Sequence, residues 1–407
     1  MISMQKTDRN TSLLDTSITS ILGGAAITAI FPPYALYGYG LMGIGGISMA
    51  YYAKSWNKFS RLFKNLKLCI DDAYPIYKKK KKTDISTIYC FTLPCGMSVE
   101  DFDKKKVAIE QHLGREIEIK YTYKEIQIEV FEQRGTPIFD YEPVNIFGNV
   151  PILVGYDRKG ELVSADLSNG EPHMLIAGET GSGKSTALRS IITNLILKSN
   201  VTLHLVDLKR GAEFSVFAKS SKVKSFSRTR GEANKILTEI KFEIERRYDL
   251  FFENDVADIK EYNRRHKKLD YQVLVIDEFA DLHSEKESIE NLESIAALAR
   301  ACGIHLVIAT QRPDHKILNG RIKANVANVL GLKTMNSTNS QIIIDKPCLE
   351  HLRGKGHGIF KRGKESEIQC PFLSIENCRE LIKHTYVKKE NKTSEPSEIE
   401  NFDFLEG

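Results

Sequence analysis

Short, mostly apolar runs alternate with helical segments through the second half of the chain. Four such runs lie at residues 173–177, 201–207, 271–276 and 303–310, and a long helical segment covers residues 231–252. An apolar run of this length without alternation is typical of a strand that is covered on both faces. Strands of this kind separated by helices build a parallel sheet with helices on both sides. The pattern therefore predicts a doubly wound α/β core.

A different pattern precedes this core. Residues 116–121 and 125–130 alternate between polar and apolar positions, as strands with one buried face do. Residues 85–91 predict another strand, and residues 99–113 predict a helix that Gly114 ends. The order of these elements predicts a small α+β adaptor domain of β-α-β-β type, without a catalytic set of side chains.

The segment in front of this small domain is basic. Residues 61–77 have the pattern of a juxtamembrane amphipathic helix that Pro75 ends, and five consecutive lysines follow at residues 78–82. These lysines allow two interpretations, a solvated linker or a contact with anionic lipid or DNA phosphates. The pattern alone does not separate the two.

No charged residue occurs between residues 18 and 53. A proline pair at 32–33 divides this run into parts of about 14 and about 20 apolar-leaning residues, and a membrane-spanning helix needs ~20. The second part is rich in glycine, which is common in membrane helices. Basic residues flank the run on both sides, which predicts a hairpin of two short transmembrane helices with both ends in the cytoplasm. A single span with a re-entrant first half is the alternative.

These patterns divide the chain into four segments. A membrane anchor takes residues 1–60, the juxtamembrane helix and adaptor 61–165, the α/β core 166–385, and an acidic tail, expected to be disordered, 386–407. The predicted location is the cell membrane, with both termini and the core in the cytoplasm. The formal net charge of +5 allows a nucleic-acid partner without establishing one. The seven cysteines are dispersed and complete no zinc-binding set.

The segment after the first apolar run has the composition of a phosphate-binding loop. Residues 178–185 read G-x-x-x-x-G-K-S and precede a helical stretch. Between a strand and a helix, the amides of such a loop bind phosphate oxygens. Lys184 is then expected to contact the β- and γ-phosphates, and the Ser185 hydroxyl to bind Mg²⁺. The predicted ligands are ATP and Mg²⁺. The predicted nucleotide-binding residues are Gly178, Glu179, Thr180, Gly181, Ser182, Gly183, Lys184, Ser185 and Thr186.

Polar side chains follow two further apolar runs. The third run ends in Asp277 and Glu278, and the fourth is followed by Gln311. The carboxyl ends of parallel strands meet at one edge of a sheet, where ligands bind. We therefore predict that Asp277 binds Mg²⁺, that Glu278 is the general base for the attacking water, and that Lys184 and Gln311 complete the catalytic set. For Gln311, a role that only caps the strand is the alternative.

Taken in order, these motifs resemble the motor domain of the FtsK/SpoIIIE DNA translocases. The resemblance rests on residues 172–185, 207–214, 245–248, 261–263, 275–282, 299–305, 309–313, 322–325 and 354–356. It implies a RecA-like P-loop core with a mostly parallel sheet. It further implies a homo-hexameric ring around double-stranded DNA, which the family pumps by ATP hydrolysis without reading its sequence.

The resemblance also implies residues that act on DNA and on the neighbouring subunit. The expected DNA contacts are His315, Lys316, Arg321 and Lys323, with ordinary surface charge as the alternative for each. Where the family carries arginines that reach the neighbouring nucleotide, this chain has Val329 and Gln341. Such an arginine stabilises charge in the transition state. Either Arg312 or Arg321 replaces it, or hydrolysis is slow until a partner assists.

The short layout resembles the FtsK-like coupling proteins of Gram-positive integrative and conjugative elements, which have two membrane helices, a small adaptor and one motor. This resemblance implies a membrane-anchored, ATP-driven DNA translocase that works with a relaxase and transfer-channel proteins. Chromosome or plasmid segregation is the first alternative. A secretion-system ATPase that moves protein is the second, and a scaffold that binds nucleotide without turnover is the third.

Overall fold

The computed structural model describes residues 59–83, 85–122, 125–132, 135–311, 313 and 320–387, together with short helical pieces between residues 18 and 46. The chain divides into two units, residues 1–135 and 136–407. Among the described residues, no helix is both long and apolar enough to cross a membrane. Most of the predicted hairpin lies outside the described residues, as does the tail from residue 388, so both stay predictions.

The first unit contains an antiparallel sheet. Its strands are β1 (Ile76–Lys82), β2 (Ser86–Thr92), β3 (Ile117–Thr122) and β4 (Glu125–Phe131), and its helices include α1 (Val99–Asp103) and α2 (Lys106–Leu113). The strand order is β1-β2-β4-β3. Aromatic side chains dominate the core, where the rings of Phe59 and Phe63 each lie 5.1 Å from that of Phe91. Residues 59–65 are helical and bring the first two rings to the sheet.

Three features of this unit differ from the prediction. The helix predicted from residue 61 ends at residue 65, and the helix predicted over residues 99–113 is divided into α1 and α2. The lysines at 78–82 lie in β1, so the linker interpretation is wrong, while their contact with lipid or DNA phosphates stays a prediction. Lys78 pairs with Glu125 at 3.0 Å. A run of identical residues has no alternation of polar and apolar positions, so the sequence does not indicate a strand here. The strand forms because residues 76–82 pair with β2. Because β1 is an edge strand, its lysines oppose pairing with other chains.

The second unit is built on one mixed sheet. Its strands are β5 (Pro151–Tyr156), β6 (Leu162–Asp166), β7 (Met174–Ala177), β8 (Thr202–Asp207), β9 (Val223–Ser227), β10 (Gln272–Asp277), β11 (Ile304–Thr310), β12 (Asn328–Leu332), β13 (His357–Arg362) and β14 (Lys364–Gln369). The order is β6-β5-β14-β13-β12-β7-β11-β10-β8-β9. Pairings from β12 to β9 are parallel, and those from β12 to β6 are antiparallel. The predicted parallel α/β core is confirmed, with an antiparallel extension.

Helices flank this sheet, as the alternating pattern predicts. They are α3 (Lys184–Lys198), α4 (Arg230–Glu253), α5 (Ile259–Arg265), α6 (Lys286–Leu298), α7 (Gly320–Asn325), α8 (Ser337–Ile344) and α9 (Ile375–Ile382). The sheet already begins at Pro151, before the predicted boundary at residue 165. The reason is that β14, distant in sequence, pairs with β5 through Gln369 and Tyr156.

Three buried histidines near the amino ends of the central strands are held neutral. The His173 Nδ1 accepts a hydrogen bond from the Leu306 amide at 3.0 Å, and its Nε2 lies 3.0 Å from the Ala296 carbonyl oxygen. Burial lowers the pKa of His173 to about 3 and the pKa values of His204 and His305 to about 4. In an unfolded chain these rings titrate near pH ~6.5.

We therefore expect the free energy of unfolding to be fully maintained above pH ~6.5 and to fall as the pH drops toward ~4, since the unfolded chain binds protons that the folded chain does not. Each ring contributes about 1.4 kcal/mol per pH unit inside this window. Urea unfolding at several pH values measures the slope. His173→Gln should reduce it, and exposed His351→Gln should not. An unchanged slope in the first variant would contradict the assignment.

Candidate nucleotide site

The phosphate-binding loop joins β7 to α3 at the carboxyl edge of the parallel strands. Gly181 and Gly183 have φ of 79° and 104°, a left-handed backbone that residues with a side chain rarely adopt. Gly183 is also the N-cap of α3, so the unpaired amides of the first helical turn lie next to the loop. The Gly178 amide donates to the Thr310 carbonyl oxygen at 3.2 Å and fixes the loop to the end of β11.

A second glycine turn packs directly on the loop. Gly354, Lys355 and Gly356 all have positive φ, and the Gly356 amide donates to the Ser182 carbonyl oxygen at 2.7 Å. A Cβ added at Gly183 would lie 2.1 Å from the Gly356 nitrogen. Glycine is therefore needed at 183 for space as well as for φ. This turn, which is remote in sequence, completes the wall of the phosphate site.

Lys184 and Asp277 form a buried ion pair beneath the loop. The Lys184 Nζ contacts the Asp277 Oδ1, and the side chains are 3% and 0% exposed. Asp277 ends β10 and lies opposite Asp207 at the end of β8. The Asp277 Oδ2 is buried without a hydrogen-bond partner and lies 4.0 Å from the Lys209 Nζ. A buried anionic oxygen with unused acceptor capacity suits a hard cation.

Ser185 and Asp277 therefore fit the predicted Mg²⁺ role. Within the part of the chain that the structure describes, no group of three or more His, Cys, Asp or Glu side chains is placed to hold a metal. Mg²⁺ in phosphotransfer sites keeps several waters and uses substrate phosphates with one or two protein ligands. Ser185 in the first turn of α3 and the free oxygen of Asp277 match that sparse set. When bound, the ion would neutralise charge on the phosphates.

Glu278 is positioned by a chain of hydrogen bonds. Its backbone is left-handed, with φ 59° and ψ 63°, which is uncommon for a residue with a side chain. The Thr310 hydroxyl and the Gln311 backbone amide each donate to its Oε1 at 3.1 Å. The Gln311 side-chain oxygen accepts from the Thr180 hydroxyl at 2.9 Å. The predicted base and sensor are thereby brought together and joined to the phosphate loop.

Comparison with known proteins agrees with this geometry. The sequence profile of the FtsK/SpoIIIE family matches residues 145–273. Residues 145–273 of this chain thus match an FtsK/SpoIIIE domain, and the chain is a P-loop ATPase. The DNA translocase FtsK of Caldanaerobacter subterraneus subsp. tengcongensis is 35% identical over 67% of this chain and 40% of its own length. The DNA translocase SftA of Bacillus subtilis is 37% identical over 57% of this chain and 26% of its own. The chain thus spans less than half of these relatives.

Solved structures extend the similarity beyond this domain. The pCW3 conjugation coupling protein TcpA, in its monomer form with ATPγS, superposes with a TM-score of 0.58 and 26% identity, covering 81% of this chain and 99% of that one. The cytoplasmic domain of the type VII secretion ATPase EccC of Thermomonospora curvata gives a TM-score of 0.54 at 22% identity, over 60% of this chain and 32% of its own. The second likeness shows the fold alone.

Five residues are predicted to act on DNA or on a neighbouring subunit, and two of them, Arg321 and Lys323, are among the described residues. Arg321 is 84% exposed and pairs with Glu293 at 3.2 Å. Lys323 donates to Asp345 at 2.8 Å and to the Ile342 carbonyl oxygen at 2.9 Å. The other three predicted residues lie outside the described residues, namely Arg312, His315 and Lys316. All of these roles stay predictions.

The sequence analysis missed two features of the nucleotide site. The Lys209 Nζ lies 3.6 Å from the Glu278 Oε2 and is one-third exposed, so it adds positive charge beside both acids. The sequence analysis noted the glycine turn at 354–356 only as part of a family resemblance and did not place it at the phosphate-binding loop. The signal for Lys209 is present in the sequence, since it follows the apolar run of β8 by two residues.

Replacing Gln311 with alanine tests which of its two predicted roles applies. We expect kcat for ATP hydrolysis to fall by about 10- to 100-fold, because the group that orients the lytic water is lost. Thr180→Val removes the hydroxyl that donates to Gln311 and should lower kcat in the same direction by less. Gln341→Ala, at an exposed position of α8, is the control. A wild-type kcat in Gln311→Ala would favour the strand-capping role instead.

Proposed function

We propose that this protein is a membrane-anchored, ATP-driven DNA translocase that couples DNA to a conjugative transfer channel. The observation that carries the proposal is the superposition with the conjugation coupling protein TcpA, because it covers 99% of that chain and 81% of this one. The match extends across far more of the chain than the 145–273 region of the family profile. It therefore includes more than the shared ATPase fold.

The chemistry of the nucleotide site supports ATP turnover as the source of motion. Lys184 and the loop amides would bind the phosphates, Ser185 and Asp277 would hold Mg²⁺, and Glu278 would take a proton from the attacking water. The hydrogen bonds from Thr310 and Gln311 already aim the Glu278 carboxylate. A site built in this way has the parts for hydrolysis, which argues against a scaffold that only binds nucleotide.

The identity of the cargo separates the alternatives. The relatives named DNA translocase are 35% and 37% identical, whereas the secretion ATPase EccC is 22% identical and supports only a common fold. We therefore place DNA ahead of protein as the cargo. Segregation of a chromosome or plasmid is the first alternative, because both relatives are named DNA translocases and this chain covers only 40% and 26% of their lengths.

The remaining parts of the proposal come from the sequence. They are a homo-hexamer around double-stranded DNA, the hairpin that places the protein in the cell membrane with its core in the cytoplasm, and contacts with a relaxase and channel proteins. Arg321 would act on the neighbouring subunit. Its side chain is 84% exposed, although it pairs with Glu293. A surface pair of this kind contributes little energy and can be exchanged readily.

ATP hydrolysis by the full chain, measured with and without duplex DNA of unrelated sequences, tests the proposed function. We expect several-fold stimulation by any duplex, as for a motor that contacts phosphates without reading bases. Lys184→Ala and Glu278→Gln should each abolish it. A rate of ATP hydrolysis that no duplex changes would contradict DNA translocation. Transfer frequency in mating assays with the same variants then separates a conjugative role from segregation.

A further inference from the structure

A large basic cleft lies at the opposite edge of the parallel sheet from the nucleotide site. It opens at the amino ends of β8 and β10 and has a volume of about 1250 Å³. Five cationic side chains line it, namely Lys198, Lys222, Lys260, Arg264 and Lys268. Within the described residues, none of these five forms an ion pair with a carboxylate, and Asp270 is the one acid in the lining.

Unpaired positive charge in a concave surface favours an anionic occupant. The low-dielectric walls of a cleft concentrate the field of the charges that line it, so binding of an anion there exceeds binding at an isolated lysine. The lining also includes apolar side chains, from Leu197, Leu269 and Tyr271. The best-matched ligand is therefore an acidic segment that also carries apolar residues.

The described part of the chain ends beside this cleft. The Val387 amide donates to the Lys219 carbonyl oxygen at 3.0 Å, and the Ser221 amide donates to the Thr385 carbonyl oxygen at 2.9 Å. Ser221 itself lines the cleft. The chain therefore passes the cleft lining at Thr385, and Val387 lies two residues further along, before residues 388–407 of the sequence. Their acids are Glu390, Glu395, Glu398, Glu400, Asp403 and Glu406.

We propose that the acidic segment 390–407 binds in the basic cleft of its own chain. Its Phe402, Phe404 and Leu405 would contact the apolar part of the lining, while its carboxylates pair with the five cations. Extended chain spans about 3.3–3.6 Å per residue, so the residues between Val387 and Asp403 reach well across the cleft. Attachment two residues beyond the contact with the lining gives an effective concentration in roughly the mM range. Nucleic acid has the charge but lacks both the apolar side chains and this attachment.

Photo-cross-linking in the full chain tests this proposal. A photoreactive phenylalanine analogue replaces Phe402, and mass spectrometry locates the attached peptides. We expect the attachment sites to fall in residues 197–202, 221–222 and 260–271, and the yield to drop several-fold between low and high salt. Lys260→Glu combined with Arg264→Glu should remove most of the signal. Lys241→Glu combined with Lys364→Glu, at exposed positions outside the lining, is the matched control.

Three results would overturn the proposal. The first is attachment outside the cleft, or a yield that the charge reversal leaves unchanged. The second is attachment between isotopically labelled and unlabelled chains in a mixture, which would place the segment on another copy. The third is a photoreactive duplex that attaches to the cleft lysines while the tail does not, which would make the cleft a nucleic-acid site. The readout needs no ATP turnover, so failure here is distinguishable from failure of the proposed motor activity.

Discussion

Replacing Glu278 with glutamine is expected to lower kcat for ATP hydrolysis by about 10²- to 10⁴-fold, the contribution typical of a general base. In the wild-type protein the Thr310 hydroxyl and the Gln311 backbone amide donate to the Glu278 Oε1, and a glutamine oxygen at this position can still accept both hydrogen bonds. It cannot take a proton from water. ATP affinity should therefore stay near the wild-type value, and single-turnover hydrolysis with a parallel binding assay separates the two effects.

A surface acid provides the control for this substitution. Glu290 on α6 is exposed, and its partner Lys286 is also exposed. Glu290→Gln removes the same charge from the same unit and should leave kcat unchanged. If Glu278→Gln hydrolyses ATP at the wild-type rate, the base is another group and the assignment of Glu278 is wrong.

Replacing Lys184 with methionine is expected to destabilise the fold as well as to abolish phosphate binding. Asp277 is fully buried, so loss of the lysine leaves a carboxylate whose remaining cation, the Lys209 Nζ, is 4.0 Å away. Removing one partner of a buried pair costs about 3–5 kcal/mol, and the presence of Lys209 favours the lower end. Chemical unfolding in the absence of nucleotide measures this cost separately from ATP binding.

A double-mutant cycle isolates the pair itself. Lys184→Met combined with Asp277→Asn removes both charges, so most of the lost free energy of unfolding should return. The control is Lys286→Met, since its pair with Glu290 is largely solvent-exposed and should affect unfolding little. Additive losses in the double variant would show that the two side chains do not stabilise each other.

The nucleotide site is the part of the molecule that sequence predicts best. Lys184 and Ser185 lie in one continuous loop, and Asp277 with Glu278 directly follows a strand, so each piece is recognisable locally. The rule that ligands bind at the carboxyl ends of parallel strands then brings the pieces together. The hydrogen bonds from Thr310 and Gln311 to Glu278 confirm that this rule applies here.

Contacts between segments distant in sequence were the ones that prediction missed. The Gly356 amide bonds to the Ser182 carbonyl oxygen, although more than 170 positions separate them. Pro151 begins the core sheet because β14 lies beside β5. Neither contact produces a periodic pattern in the sequence, because both are hydrogen bonds between backbone groups, which every non-proline residue carries.

The sequence by itself determined the ATPase chemistry and the parallel core, since both follow from residue order within single segments. It also determined the charge of the tail and of the lysines that line the cleft. Only the tertiary structure decided that Lys209 lies beside the two acids, that the lysines at 78–82 form an edge strand, and that Thr385 lies beside the lining of a basic cleft. The reason is physical: charge and hydrophobicity belong to residues, whereas proximity arises from the packing of segments that the chain keeps far apart.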